Sequence, residues 1–240
     1  MKRLLILLAA VLLLSSCSTR YDYQNGVALH LREIKGDKYS AEIWVEMVFE
    51  DGSLPTKIEA DQLGVERIFP EHKVSQWLIP LRDGPKNVGL LKYEYNDDKS
   101  INNKDYTFVA ENIYTEDKIY SGRWELPITI KNGETSVKYT AVPKAEDKNK
   151  ITFMEIEVCP YTLRYEVVQP ASMFNNEETT APGVLFGNGE KRKGSGGSRH
   201  SEIDGDKLNS TVTIRFGSEV DINTVTGLVI DGVEYTLTKV

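Results

Sequence analysis

The chain has 240 residues, a formal net charge of −7, and 40% hydrophobic residues. This length and apolar content suffice for two domains that each bury a core. The acidic balance excludes nucleic acid as an expected partner, because a nucleic-acid-binding surface needs an excess of basic residues. The two cysteines exclude a small domain held together by several disulfides.

The first 16 residues have the layout of a secretory signal peptide. Lys2 and Arg3 form a short positive region, and an apolar run from Leu4 to Leu14 follows it. At about 1.5 Å rise per residue, this run spans only roughly half of a hydrocarbon core about 30 Å thick, so we expect it to be cleaved. Cleavage would leave 27 of the 29 basic residues against 36 acidic ones, a formal net charge of −9.

The expected cleavage site is Leu14-Ser15-Ser16-Cys17, which resembles the lipobox of bacterial lipoproteins. The resemblance implies that Cys17 begins the mature chain, carries a diacylglycerol and anchors the protein to the outer face of the cell membrane, or to the outer membrane of a host with two membranes. Two acyl chains suffice for stable attachment. Residues 17–25 are then a lipidated polar tether. The alternative is an ordinary signal peptide followed by an incidental cysteine.

Alternation of apolar and polar residues predicts an all-β chain from residue 26 onward. Apolar residues share one face of the segment 39–49, and Glu42, Trp44 and Glu46 share the other. The run VALHL (27–31) and the turn residues 35–38 predict a hairpin with this strand. Further strand-like runs, separated by turn signals, occupy residues 88–95, 105–113, 123–130, 136–142, 151–158, 161–168, 210–216 and 233–240.

This spacing of short strands predicts two immunoglobulin-like antiparallel β-sandwich domains in tandem. We place the first domain at 26–131 and the second at 134–240. The polar, glycine-rich segment 170–209 is predicted to be a long loop of the second domain. Within it, GVLF (183–186) is expected to form a short strand or to pack back onto the core, and residues 187–200 are expected to be mobile. A helix is predicted only at 57–69, where the central Gly64 costs about 1 kcal/mol relative to alanine.

No catalytic constellation stands out, so we expect neither an enzyme nor a cofactor. The stretch GNGEKRKGSGG lacks the lysine-hydroxyl pair and the following helix of a phosphate-binding loop. His30, His72 and His200 are too scattered for a local metal motif, so no metal site is predicted. The oxygen-rich segment 96–105 has two interpretations, a weak calcium site or a solvated hairpin loop.

Cys159 has no disulfide partner if Cys17 is lipidated. It lies between two strand-like runs, and its immediate neighbours include no basic residue that would lower its pKa. We therefore expect Cys159 to be a small buried side chain and not a reactive thiol.

Two groups of residues are candidates for binding. The cations Lys191, Arg192, Lys193 and Arg199 concentrate positive charge on the predicted loop, which suits anionic lipid head groups or an anionic wall polymer. The alternative is a loop kept soluble by its charge. Trp44 lies on the polar face of its strand and is the candidate for a surface aromatic that stacks on sugars, unless a second sheet covers it. Trp124 is in phase with apolar neighbours and is predicted to lie in the core.

Three segments resemble a known family. The stretches YSGRWELPITI (120–130), ITFMEIEVCPYTLRYEV (151–167) and FGSEVDINTVTGLVIDGVEYTL (216–237) are similar to strands in the extracytoplasmic domains of membrane-bound anti-sigma-factor-like proteins of Gram-positive bacteria. The resemblance implies two β-sandwich domains of unknown function and a role in sensing or binding. Those proteins reach the cytoplasm through a transmembrane helix and a sigma-binding segment. This sequence shows neither, so direct binding of a sigma factor is not expected.

The sequence therefore favours a non-enzymatic surface lipoprotein that binds or senses a protein or a cell-envelope component. The alternative from another class is a carbohydrate-binding or carbohydrate-active surface protein. It would use exposed aromatic side chains together with carboxylates such as Glu42 and Glu46.

Overall fold

The computed structural model describes residues 21–52, 54–65, 74–97, 99–131, 133, 135–148, 150–173 and 182–240. These residues form antiparallel strands, and their one helical element is a short 3₁₀ helix at Ala171–Met173. The all-β prediction is confirmed, whereas the finer immunoglobulin-like assignment stays a prediction. Within the described ranges no helix has the length and apolar character to cross a membrane. Cys17 and the predicted signal peptide lie outside these ranges.

The chain divides into two compact units. Among the residues just given, the first unit takes in 21–34, 42–94 and 104–130, and the second takes in 35–41, 95–103 and 131–240. The sequence analysis placed 35–41 and 95–103 in the first domain, and the structure places them in the second unit.

The first unit is built on two antiparallel sheets. Its strands, of which β2, β3 and β7 each have two end residues in the second unit, are β1 (Tyr21–Gln24), β2 (Val27–Gly36), β3 (Ser40–Phe49), β4 (Lys57–Val65), β5 (Val74–Trp77), β6 (Ile79–Pro80), β7 (Val88–Asn96), β8 (Lys104–Tyr114) and β9 (Ile119–Ile130). A five-stranded sheet has the order β1-β2-β3-β7-β6, and a four-stranded sheet has the order β5-β4-β8-β9. The predicted hairpin of β2 and β3 is confirmed.

The core of the first unit comes from alternate residues of its strands. In β3, Ile43, Val45, Met47 and Phe49 are buried, as the period-two pattern predicts. Trp124 in β9 is fully buried, and its Nε1 donates to the Val27 carbonyl at 2.9 Å. The prediction that Trp124 belongs to the core is therefore confirmed.

The predicted tether at 17–25 was wrong over its described residues, because residues 21–24 form β1 and pair with β2. Asn25 and Gly26 have φ values of 48° and 90°, as in the two-residue turn of a type I′ hairpin. Asn-Gly between two alternating runs is itself a hairpin signal, which the polar composition of the segment obscured. The side chains of β1 also bond to β9: Asp22 accepts the N–H of Glu125 at 2.8 Å.

Residues 57–65 form strand β4, so the predicted helix was wrong over this range. Buried Ile58 and Ala60 are followed by buried Leu63 and Val65, and this break in strict alternation produced a spacing that resembles a helix. Gly64 has a φ of 142°, and a Cβ there would lie 2.6 Å from the ring of Tyr93. The glycine therefore serves a close packing contact. Residues 66–69 of the predicted helix lie outside the described ranges.

The second unit contains one nine-stranded sheet with the order β14-β13-β17-β18-β10-β11-β12-β16-β15. These strands are β10 (Val137–Pro143), β11 (Thr152–Val158), β12 (Thr162–Pro170), β13 (Gly183–Phe186), β14 (Lys191–Lys193), β15 (Gly196–Asp204), β16 (Lys207–Arg215), β17 (Val225–Ile230) and β18 (Val233–Lys239). The first two residues of β10 pair with β11, and the rest of β10 pairs with β18. The sheet folds there, and both halves contribute to one core, including Tyr139, Leu163, Tyr165, Val184 and Tyr235.

The short strand allowed for GVLF (183–186) is confirmed as β13, but the prediction of a long loop at 170–209 was wrong for most of its described residues. Strands β13, β14 and β15 lie within it, and β15 pairs with β16 along its whole length. Only Gly194 and Ser195 separate β14 from β15, which lie at opposite ends of the strand order. This segment therefore passes from one half of the folded sheet to the other.

The glycines of this segment allow close packing. A Cβ on Gly197 would lie 2.1 Å from the Thr213 carbonyl oxygen, and a Cβ on Gly194 would lie 2.3 Å from a methyl carbon of Ile214. Glycine within a strand marks such close approaches of the backbone. The sequence analysis took the same Gly/Ser composition as a sign of flexibility, because flexible linkers share it.

Candidate functional site

Trp44 lies on the outward face of the five-stranded sheet, because its neighbours Ile43 and Val45 are fully buried on the other side. The indole is half-buried, and its Nε1 donates to Glu42 Oε1 at 2.6 Å. Lys92 Nζ lies 5.8 Å from the ring centroid and 2.5 Å from Glu42 Oε2. The orientation of the ring is therefore fixed by a hydrogen bond and by a cation–π contact.

Glu46 continues this face next to Trp44. Its carboxylate lies 3.4 Å from Arg32 Nε and 4.0 Å from His30 Nδ1. Burial lowers the pKa of His30, Arg32 adds to that effect, and Glu46 opposes it. The imidazole is therefore neutral at pH 7. Glu42 and Lys92 thus contact the Trp44 ring, and Glu46 adds a carboxylate on the same face of β3.

Trp77 is an exposed aromatic side chain that the sequence analysis did not single out. It is 69% exposed at the end of β5, and Ile79 in β6 is 45% exposed, with buried Leu78 between them. The alternation of QWLIP places Trp77 and Ile79 on the same side, and this signal was available in the sequence. The alternation is hard to detect because these strands are only four and two residues long.

The four predicted cations do not share one surface. Arg192 in β14 is the backbone partner of buried Val184 in β13. Its guanidinium lies 5.3 Å from the centroid of the Phe186 ring and donates to the Glu190 carboxylate at 2.5 Å. Arg199 donates to the hydroxyls of Ser201 and Ser210 at 3.1 and 3.2 Å. Exposed Lys191 and Lys193 lie on the other face of β14. Their use as an anionic-partner site stays a prediction.

Asp37 is a fully buried carboxylate in the second unit. Its Oδ1 accepts the N–H groups of Tyr39 and Ser40 at 3.0 and 3.1 Å, and its Oδ2 accepts the Tyr161 N–H at 2.8 Å. The Thr162 hydroxyl lies 3.0 and 2.9 Å from the two oxygens. Asp37 thus joins the turn between β2 and β3 to the turn between β11 and β12, which explains why 35–41 belongs to the second unit.

Glu157 is a second buried carboxylate beside the same turn, with 2% exposure. Tyr39 donates its hydroxyl at 2.5 Å, and Lys38 Nζ lies 3.0 and 3.2 Å from the two carboxylate oxygens. Burial opposes ionisation, but hydrogen bonds from Ser136, Tyr39 and Lys38 outweigh it and hold the pKa of Glu157 below its usual value. Because each acidic group here has partners, the arrangement suits a structural role.

Cys159 is fully buried, which confirms the prediction for this residue. Burial, together with the nearby carboxylates of Asp37 and Glu157, raises the pKa of its thiol far above the usual range. A thiol of this kind is a poor nucleophile, since the thiolate is the reactive form.

The two histidines that the structure describes belong to different units. His30 is buried in β2, His200 is exposed in β15, and His72 lies outside the described ranges. In the part of the chain that the structure describes, no three His, Cys, Asp or Glu side chains are placed to hold a metal ion.

The segment 96–105 connects two different sheets, because β7 belongs to the five-stranded sheet and β8 to the four-stranded one. The hairpin interpretation was therefore wrong. Asp97 accepts the Lys99 N–H at 3.0 Å and the Tyr95 hydroxyl at 3.2 Å. Asp105 accepts the Thr129 hydroxyl at 2.7 Å. These carboxylates are engaged in local hydrogen bonds.

Comparison with known proteins finds similarity at the level of structure. Neither a family model nor a curated protein matches the chain. A solved structure that matches is the crystal structure of the conserved domain protein from Bacillus anthracis, with a TM-score of 0.48 and 12% sequence identity. The match covers 92% of this chain and 88% of that one.

Proposed function

We propose that the mature chain is a non-enzymatic, lipid-anchored extracytoplasmic protein that binds or senses a protein or another component of the cell envelope. The observation that carries this proposal is the lipobox-like Leu14-Ser15-Ser16-Cys17, placed directly after a positive region and an apolar region. Only residues 18–20 separate Cys17 from β1. At about 3.5 Å per residue, a diacylglycerol on Cys17 would hold the first unit within about 14 Å of the anchor point.

The described side chains support binding over catalysis. The buried carboxylates Asp37 and Glu157 accept hydrogen bonds from neighbouring residues, and the Cys159 thiol is inaccessible. The outward face around Trp44, in contrast, presents aromatic and charged groups to solvent. We therefore take the immunoglobulin-like sandwiches of the proposal as a scaffold for surface recognition.

Cys17→Ala is expected to abolish both lipidation and membrane attachment, because the thioether sulfur is lost. Intact mass and membrane fractionation of the native protein and the variant measure these two effects. Cys159→Ala is the matched control and should keep both, since Cys159 is fully buried. Release of the unaltered protein without lipid would contradict the proposal and favour an ordinary signal peptide.

A second candidate is carbohydrate binding through Trp44. The observation that favours it is the fixed orientation of the indole, which donates to Glu42 at 2.6 Å. A pre-oriented aromatic ring stacks on the C–H face of a sugar with little loss of conformational entropy. Glu42, Glu46 and Lys92 supply hydrogen-bonding groups around it.

Under this candidate, Trp44→Ala is expected to weaken glycan binding by about tenfold or more, which corresponds to about 1.4 kcal/mol of lost stacking. A glycan array followed by calorimetry of the best ligand measures the change. Trp77→Ala, which alters an exposed tryptophan of the other sheet, is the control and should leave binding unchanged. This candidate would be rejected if the native protein bound no glycan on the array, or if Trp44→Ala bound the best ligand as tightly as the native protein does.

A further inference from the structure

A shallow cavity of about 180 Å³ opens on the outward face of β12, β16 and β15 in the second unit. The strand register sets two rows across this face. His200 pairs with Thr211, which pairs with Glu166, and Glu202 pairs with Asn209 in the next row. Rows on one face are about 7 Å apart and neighbouring strands about 4.8 Å apart, so three strands place these groups within an area of about 7 by 10 Å.

Most polar side chains of the cavity have unused hydrogen-bonding groups. Considering the described residues alone, the side chains of His200, Glu202, Asn209 and Thr211 form no hydrogen bond or ion pair. Glu166 differs, because its carboxylate is paired with Arg164. The cavity therefore offers an imidazole, an amide and a hydroxyl, each able to donate and to accept, and one carboxylate whose charge is not balanced.

This set of groups selects the chemistry of the ligand. The unbalanced carboxylate of Glu202 disfavours phosphate and carboxylate ligands. A sugar hydroxyl both donates and accepts, and adjacent groups of the cavity can do the same. Met154, which is 65% exposed at the irregularity of β11, and Val168 add an apolar border. Such a border suits the C–H face of a pyranose ring or the methyl group of an N-acetyl substituent.

We propose that this cavity binds a single neutral pyranose residue of the hexose or N-acetylhexosamine type. The inference rests on the proposed binding function and gives it a ligand class. It depends on neither Cys17 nor Trp44, and it places part of the recognition surface on β15, which the sequence analysis assigned to a loop.

The test is a methyl NMR titration of the native protein in detergent, labelled at the methionine methyl groups. N-acetylglucosamine and glucose are each added up to about 50 mM, which saturates a site with a millimolar Kd. We expect a saturable shift of the Met154 methyl signal with at least one sugar. Met47, buried in the first unit, is the internal control and should not move.

Asn209→Ala and Thr211→Val are expected to raise the Kd by about tenfold or more, because each removes a hydrogen-bonding group. Lys207→Ala, on the same face of β16 but outside the cavity, should bind as the native protein does. Absence of a saturable Met154 shift would overturn the proposal. A shift that persists in both cavity variants, or that is lost only in Trp44→Ala, would also overturn it. A negative result in the sugar titration would leave the proposed membrane attachment through Cys17 standing, because membrane fractionation tests that attachment separately.

Discussion

Asp37→Ala is expected to lower the free energy of unfolding of the second unit by about 3–5 kcal/mol, because several buried donors lose their acceptor at once. The N–H groups of Tyr39, Ser40 and Tyr161 all donate to this carboxylate. These donors come from two turns far apart in the sequence. Loss of the carboxylate therefore also releases the β2–β3 turn from the second unit.

Asp37→Asn separates shape from hydrogen-bonding chemistry. The amide keeps one acceptor oxygen but turns an N–H toward the Tyr161 N–H, so an intermediate loss of about 2 kcal/mol is expected. Asp83→Ala, which removes an exposed carboxylate, should change stability by less than about 0.5 kcal/mol.

Urea denaturation followed by far-ultraviolet circular dichroism, with hydrogen exchange of peptides from β11 and β12, measures the change at Asp37. Hydrogen exchange is needed because tryptophan fluorescence would not report on the second unit. Trp44, Trp77 and Trp124 all lie in the first unit. An unchanged urea midpoint in Asp37→Ala would mean that these hydrogen bonds do not hold the turn.

Gly197→Ala is expected to destabilise the second unit by about 3 kcal/mol. The new Cβ would lie 2.1 Å from the Thr213 carbonyl oxygen, which is backbone and cannot rotate away. Strand β15 must therefore move off β16, and the pairs around Gly197 are weakened. Faster hydrogen exchange in β15 and β16 and a lower urea midpoint are the expected signs.

The control for this change is Gly187→Ala in the same glycine-rich segment. A Cβ there would meet its nearest neighbours at 3.7 Å, an ordinary van der Waals contact. Its stability should match the native protein within about 0.5 kcal/mol. If Gly197→Ala were equally stable, β15 would be as loosely held as the glycine composition of the segment indicated.

Local alternation explains what the sequence predicted well. The burial of Ile43 and Val45 and of Trp124 follows directly from a period of two, because each strand has one face on a core. The all-β class follows from the same signal repeated along the chain. Failures occurred where alternation is interrupted, as at Leu63 in β4, or where turn chemistry was overlooked, as at Asn25-Gly26.

Long-range contacts explain what the sequence did not predict. Asp37 and Tyr161 are 124 residues apart, and no local pattern indicates that one accepts a hydrogen bond from the other. The cavity was hidden for a related reason, since His200 and Asn209 come together only once β15 pairs with β16. The glycine-rich composition of β15 led to the loop prediction, because composition does not reveal which backbone groups pair.

The passage of β14 into β15 between the two halves of the sheet determines where a reporter tag can be inserted. The run GSGGS looks like the natural site for an affinity tag, yet Ser195 N–H donates to the Arg215 carbonyl at 2.8 Å. An insertion there would separate the two halves of the sheet at that edge. The turn at Gly205 is the better position, because a Cβ added there would have no described heavy atom within 4 Å beyond its immediate chain neighbours.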